Sequence, residues 1–222
     1  CPVALAANFT ILDMSTSLIS LGAPSISTAY GLHAEIAQSY GLPTWGLAGA
    51  TDAKAVDAQA GIEATFHLFA QALAGVNLIH DVGYIDSGMS CSLEQLLMGS
   101  EIVAMIRHFL KGADINADTL AADVIQAVGP GGQFLTHRHT FSHLRRAFWQ
   151  PTLLDRRPRS QWEKKGAKKL ETVLRERVSA ILQAHRPAAL RDAALAEIAR
   201  IKGRGEEEMS RANRGEWPAP FS

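Results

Sequence analysis

The residues best placed to do chemistry lie in the run Asn77-Leu78-Ile79-His80-Asp81-Val82-Gly83-Tyr84-Ile85-Asp86-Ser87-Gly88-Met89-Ser90. An apolar stretch there ends in a histidine–aspartate pair and a loop punctuated by glycine. A histidine at a strand end can donate a hydrogen bond, act as a base or ligate a metal. It can equally be a structural histidine bonded to backbone. Asp81 and Asp86 can orient His80 or meet an ammonium group, or they can satisfy loop amides, as aspartates in turns do. The residues alone leave both readings open.

A second run, from Trp45 to Gly61, gathers Asp52, Lys54, Asp57 and Gln59 just before an expected helix. Its glycines permit a close backbone approach, but the GK[ST] ending of a phosphate-binding loop is missing. The plainer alternative is a capped helix start, with Asp57 near the helix N-terminus. Trp45 and Tyr84 fall at two different predicted strand ends. Aromatic faces there can hold a quaternary ammonium by cation–π attraction worth about 2 kcal/mol when desolvated, although core packing is the commoner use. In His137-Arg138-His139-Thr140-Phe141-Ser142-His143 a helix would place His139 and His143 on one face. No Glu lies between them as in HExxH, and Arg138, Arg145 and Arg146 disfavour a cation. The run reads as a helix start with surface histidines, and no metal ligand is assigned.

The elements that must position these residues follow from periodicity. Pro2–Phe9, Leu42–Leu47 and Val76–Val82 read as buried strands, and Ala29–Tyr40 as a helix. Ile62, Phe66, Phe69, Ala70 and Leu73 mark the inner face of a second helix. A third starts at Ser92, with Leu93, Leu96, Leu97, Val103, Ile106 and Leu110 inward and a capping box between Ser92 and Gln95. Strand, polar loop, helix and strand again is the grammar of parallel α/β folds, whose chemistry sits in loops leaving the C-terminal strand ends. Asp13, residues 51–57 and residues 80–90 occupy such loops.

The remainder reads as helical: Thr119–Ala127, a strand at Gln133–Thr136, a long helix over Gln161–Ala184, and another marked by Leu190, Ala194, Leu195, Ile198 and Ile201 after Pro187. Gly215 to Ser222 reads as a docked or frayed tail.

Composition is that of a globular protein, 47% hydrophobic and 20% charged. No apolar run reaches the roughly 18–20 residues of a membrane span, and no signal peptide is evident. Two cysteines without a CxxC pair point to the cytoplasm, with Cys91 read as a small half-buried residue. Charge is uneven. Residues 1–100 hold eight Asp and Glu against Lys54 alone, whereas residues 101–222 hold 21 Lys and Arg against 14 Asp and Glu. Basic residues alternate with Glu along helices, as on a solvated surface, so nucleic acid is not an expected partner.

The runs YGLPTWGLAGATDAKAVDAQAG, LAGVNLIHDVGYIDSGMSCSLEQL and GPGGQFLTHRHTFSHLR resemble the trimethylamine methyltransferase family, from about Asp13 to the helix after Pro151. The resemblance implies an α/β fold, the C-terminal half of a (β/α)8 barrel followed by C-terminal helices. The domains expected are a partial barrel at 1–150 and a helical extension packing on it at 151–222. The start at Cys1 fits a cut or processed chain. The activity implied moves a methyl group from a methylated amine to the cobalt of a corrinoid carried by a cognate partner protein, with a homo-oligomer expected. Standard residues throughout suit a quaternary amine, which already carries the charge that makes it a leaving group. His80 and Asp81 are then the candidate catalytic residues, with Tyr84, Trp45, Asp52, Lys54, Asp57 and Gln59 as candidate substrate contacts. No arginine precedes Arg107, so a betaine carboxylate would have only Lys54 among these. An inactive scaffold or docking fragment, and a metal-dependent barrel hydrolase using His80 with the 137–143 histidines, are the alternatives.

Overall fold

Three short strands form the parallel sheet on which the candidate residues sit: β1 (Leu5–Ala6), β4 (Thr44–Leu47) and β5 (Leu78–His80), in the order β1-β4-β5. Ala6 pairs with Trp45, Trp45 with Leu78, and Leu47 with His80. The structure, a computed structural model, describes residues 3–7 and 9–214. Two antiparallel hairpins interrupt the βα alternation: β2 (Ile11–Asp13) with β3 (Leu18–Ser20), and β6 (Tyr84–Ile85) with β7 (Ser90–Cys91). Each leaves the C-terminal end of a parallel strand.

Helices α1 (Pro24–Ser39), α2 (Ala58–Leu73) and α3 (Leu93–Leu110) follow the three strands, with α2 packed between α1 and α3. Pro24 sits at the start of α1, where its missing N–H is no loss. Asp57 caps α2 by accepting from the amides of Gln59 and Ala60 at 2.9 and 3.2 Å. Ser92 caps α3 through the Gln95 amide, yet the expected reciprocal bond is not made. The Gln95 side chain is fully buried with neither polar atom partnered, and Ser92 Oγ donates to Glu94 instead.

Between the helices and the sheet lies a core of Ala48, Ala60, Ala64, Leu68, Met98, Ile102, Ile106, Leu153 and Leu174, with Ile79 and Val82 packed against it. A second cluster, Leu21, Ile26, Tyr30, Leu47 and Ala50, packs against Ala7, Phe9 and Ile11. The other sheet face stays open at Trp45 and Leu78, 45% and 50% exposed. A parallel α/β sheet is therefore present as expected, but the described strands do not close into a barrel.

Periodicity misjudged two helix faces. On α2 the buried residues are Ala60, Ala64, His67, Leu68 and Gln71, whereas Ile62, Phe66 and Leu73 are exposed. On α3, Gln95, Met98, Gly99, Glu101, Ile102 and Ile106 turn inward while Leu93, Leu96 and Leu110 are exposed. Polar side chains took the inner face instead: His67 bonds Ser27 of α1, Gln71 donates to the Leu47 carbonyl of β4 and Glu101 accepts from the loop at 152–153, while Gln95 has no partner. Cys91, expected to be half buried, is exposed on two-residue β7.

The rest is helical: α4 (Ala117–Leu120), α5 (Ala122–Val128), α6 (Arg138–Ala147), α7 (Arg159–Lys164), α8 (Leu170–Ala184) and α9 (Asp192–Asn213). The helix expected over 119–127 breaks at Ala121, which is left-handed at φ 51°. That expected over 161–184 breaks at Gly166 and Ala167, both at positive φ. Residues 133–136 form no strand: 133 and 134 are irregular, and 135 and 136 turn into α6. Expectations for Cys1, Pro2, Asn8 and residues 215–222 lie outside the described residues. Residues up to Ile181 form one compact unit and those from Leu182 a second. The second consists mainly of α9, whose exposed surface carries i,i+3 and i,i+4 ion pairs such as Glu197–Arg200 and Lys202–Glu206. Among the described residues no helix is long and apolar enough to cross a membrane.

Candidate functional site at the strand ends

His80 is the last residue of β5, and the chain turns at once into Asp81, whose φ is 73°. That left-handed turn brings the carboxylate back onto its neighbour: His80 Nδ1 and Asp81 Oδ1 are 2.6 Å apart. Acceptance by the carboxylate puts the proton on Nδ1 and leaves Nε2 as the free nitrogen. Beside the imidazole, on the same face of β4, stands Trp45, edge to face with ring centres 5.9 Å apart. His80 is half exposed and Asp81 less so. Buried Tyr30 of α1 donates to the carbonyl of Ala7 at 3.1 Å. Burial pushes its phenol up from the ordinary value, and the Asp81 charge adds to that push.

Asp52 joins the three loops above the sheet. Its carboxylate accepts from the Leu21 amide at 2.8 Å, from Ser87 Oγ at 2.8 Å, and from Ser20 Oγ. Burial alone would raise its pKa, but the hydrogen bonds from Ser20, Ser87, Gly22 and Leu21 together outweigh it and hold the carboxyl below its ordinary value. Glu63 of α2 supports the same loop, accepting from Thr51 Oγ1 at 2.5 Å, the Asp52 amide at 2.8 Å and Gln59 Nε2 at 2.8 Å. Lys54 donates to the Asp52 carbonyl at 2.7 Å and lies 3.5 Å from Asp86.

The structure thus sorts the candidates into four groups. His80, Asp81 and Trp45 meet at the open sheet face. Asp52 and Lys54 line a hollow of about 500 Å³ under the first hairpin, together with Asp13 and Ser87. Tyr84 shares a hollow of about 370 Å³ with Asp81, Val82 and Leu96. Asp57 and Gln59 are engaged by the start of α2 and by Glu63. Sequence reasoning missed Glu63, Thr51, Ser20 and Ser87, since the spacing of Glu63 says only that it follows Gln59 by one turn.

Backbone strain concentrates in the same place. Asp81, Asp86 and Ser87 all adopt left-handed conformations, at φ 73°, 53° and 52°, and Gly83 lies at 105°. Non-glycine residues held there cost of order 1–3 kcal/mol each and cluster at functional sites. The β6–β7 segment is fixed across the gap by Ser87 N to Thr51 O at 3.0 Å, Asp86 N to Ala53 O at 2.8 Å, and Thr51 N to Tyr84 O at 3.2 Å.

A sequence model of the trimethylamine methyltransferase (MTTB) family matches residues 1–210. Among curated proteins, a glycine betaine methyltransferase of Desulfitobacterium hafniense strain Y51 is 40% identical over 172 residues, covering 77% of this chain and 35% of that protein. A trimethylamine methyltransferase of D. hafniense strain DCB-2 is 35% identical over 207 residues, 93% of this chain and 42% of its own length. One from Methanosarcina barkeri strain Fusaro is 36% identical over 176 residues, 79% and 35% respectively. The chain therefore spans well under half the length of these relatives.

Proposed function

The chain belongs to the trimethylamine methyltransferase family, and from that footing we propose that the whole protein transfers a methyl group from a quaternary amine to the cobalt of a corrinoid carried by a partner protein. The observation that supports it best is the cluster of His80 and Asp81 at the C-terminal end of β5 with Trp45, the second residue of adjacent β4, against the His80 ring. A quaternary ammonium has no N–H to donate, so only an aromatic face and nearby negative charge can hold it. Trp45 offers the face. Asp81, Asp86, Asp52 and Asp13 give the strand-end loops an acidic field that only Lys54 offsets in the first hundred residues, and such a field draws a cation in.

The reaction breaks one C–N bond. The methyl carbon leaves with the electron pair staying on nitrogen, and the product is a neutral tertiary amine. The docked corrinoid supplies the nucleophile that accepts the methyl group. In a barrel such a substrate is reached from the C-terminal ends of the strands, where His80 ends β5 and the loop carrying Asp81 leaves it. His80 and Asp81 position the ammonium, with Tyr84 as the further contact from the second hairpin. Asp52, Lys54, Asp57 and Gln59 hold the surrounding loops and complete the polar rim.

In this reading the β1-β4-β5 sheet is part of a (β/α)8 barrel. Its strands run in sequential order with the helices on one side, and its free face is apolar at Trp45 and Leu78. The partial barrel at 1–150 and the helical extension at 151–222 are the corresponding domains. Lys54 is tied to Asp52 and Asp86, so a substrate carboxylate has no free cation among these strand ends. Quaternary amines without a carboxylate are the preferred class.

The test is to incubate the product of the full reading frame with a reduced corrinoid protein and a panel of methylated amines, following cobalt methylation by absorbance. Methylation with a quaternary amine is expected. Turnover of trimethylamine alone would overturn the substrate class, and silence with a competent corrinoid protein would overturn the reaction.

A further inference from the structure

The two histidines of α6 acquire a carboxylate that their own run lacks. His139 and His143, one turn apart, stack with ring centres 4.0 Å apart. Asp118 of α4 lies across from both: its Oδ2 is 3.0 Å from His143 Nε2, while His139 Nε2 faces both the Asp118 backbone carbonyl at 2.7 Å and its Oδ1 at 3.5 Å. The three ligand atoms all fall within 4.8 Å of one another. Tetrahedral coordination with bonds of about 2.0–2.1 Å gives ligand separations of about 3.3 Å, and the two histidine–carboxylate distances, 3.0 and 3.5 Å, lie either side of it.

The hydrogen bonding of His143 points the same way. Its Nδ1 faces the carbonyl of His139 at 2.9 Å, so Nδ1 must carry a proton. Its Nε2 faces the Asp118 carboxylate at 3.0 Å, so both ring nitrogens meet acceptors, and either a second ring proton or a cation between Nε2 and the carboxylate satisfies that contact. A ring that donates Nδ1–H to a backbone carbonyl and presents Nε2 to a metal is the usual form of a histidine ligand. Of the arginines that disfavour a cation in the sequence, Arg146 is paired to Asp114 at 2.7 Å.

We propose that Asp118, His139 and His143 bind a divalent cation of borderline softness, zinc by preference, and that the ion clamps α4 to α6. Two imidazoles and one carboxylate suit zinc over magnesium or calcium, which prefer all-oxygen sites. The Asp118 carbonyl, 2.7 Å from His139 Nε2, stands where a fourth ligand would, and a hollow of about 510 Å³ lined by His139, His143, Asp114 and Arg146 opens beside these groups. The site lies outside the strand-end groups and is not asked to take part in methyl transfer.

The experiment is to strip the full chain with chelator and titrate it with Zn²⁺ by calorimetry and with Co²⁺ by visible absorbance. One equivalent of Zn²⁺ is expected, and the Co²⁺ form should show the intense bands of a four-coordinate site. His139→Gln/His143→Gln should weaken binding by more than about ten-fold, and Asp118→Asn should weaken it too. These side chains are partly exposed, so a circular dichroism spectrum can show that the variants are folded. Failure of the chain to take up stoichiometric metal would overturn the proposal, as would uptake unchanged in the double histidine variant.

Discussion

Ser87 Oγ donates to Asp52 Oδ1 at 2.8 Å across 35 residues, joining the loop after β4 to the turn between β6 and β7. Because the same carboxylate also accepts from Ser20 and Leu21, one side chain sets the spacing of all three strand-end loops. The His80–Asp81 pair sits at the root of one of them. Its geometry therefore depends on a residue that need not touch substrate.

Asp52→Ala should leave the Leu21 amide and two serine hydroxyls short of an acceptor, lowering stability by about 1–3 kcal/mol. Hydrogen exchange should rise at residues 20–22 and 86–88 before it rises in α2. Uniform protection across both segments would show that the loops are held by something else.

Asp52 and Glu101 also predict a direction for acid sensitivity. Glu101 is buried on α3 and accepts from the Thr152 amide at 2.8 Å, Thr152 Oγ1 at 2.6 Å and the Leu153 amide at 3.0 Å. Burial works against its ionisation, but these bonds prevail and hold its carboxyl below the ordinary 4.5. For both groups the folded value lies below the unfolded one. Their stabilisation is thus complete above the ordinary carboxylate range and fades as pH falls through the lowered values. Denaturation midpoints measured from neutral to acid pH should fall less steeply in Asp52→Asn and Glu101→Gln than in the parent. Parallel curves would refute the assignment.

A buried pair offers a cleaner test of packing. His67 is 1% exposed on α2, with Nδ1 2.6 Å from Ser27 Oγ of α1 and Nε2 unpartnered. Ser27→Ala should cost about 1–3 kcal/mol, because it strands the remaining ring nitrogen. The double variant Ser27→Ala/His67→Phe should cost clearly less than the two single variants added together. Urea unfolding of the four proteins gives the coupling, and strict additivity would mean that the contact carries no energy.

The three parallel strands, the three main helices and the loops bearing His80, Asp52 and Tyr84 were legible because alternation of apolar runs with glycine and aspartate is a local signal, whereas the two hairpins, made of strands of two or three residues, were not. The helix faces were not. Ile62 and Phe66 looked like core and are exposed, while His67, Gln71 and Gln95 are buried, since which face turns inward depends on loops distant in sequence. For the same reason, nothing in the spacing of Glu63 reveals that it braces Thr51 and Asp52. Asp118 is likewise 21 residues from the nearer histidine, a separation no ligand motif anticipates.

Asp81 offers a test that separates folding from chemistry. Its left-handed φ of 73° is a conformation glycine adopts without steric penalty. Asp81→Gly should therefore be neutral or stabilising by up to about 1 kcal/mol, even though it removes the bond to His80. If the carboxylate serves only the turn, amine-dependent methylation should survive the change. If it holds the His80 ring toward an ammonium, turnover should fall while the melting temperature holds or rises. Asp81→Asn, which tolerates the same backbone and keeps a hydrogen-bond acceptor without the charge, should fall between the two, losing more in KM for a cationic substrate than in kcat. A variant that loses stability and activity together would place Asp81 in the fold rather than in the site.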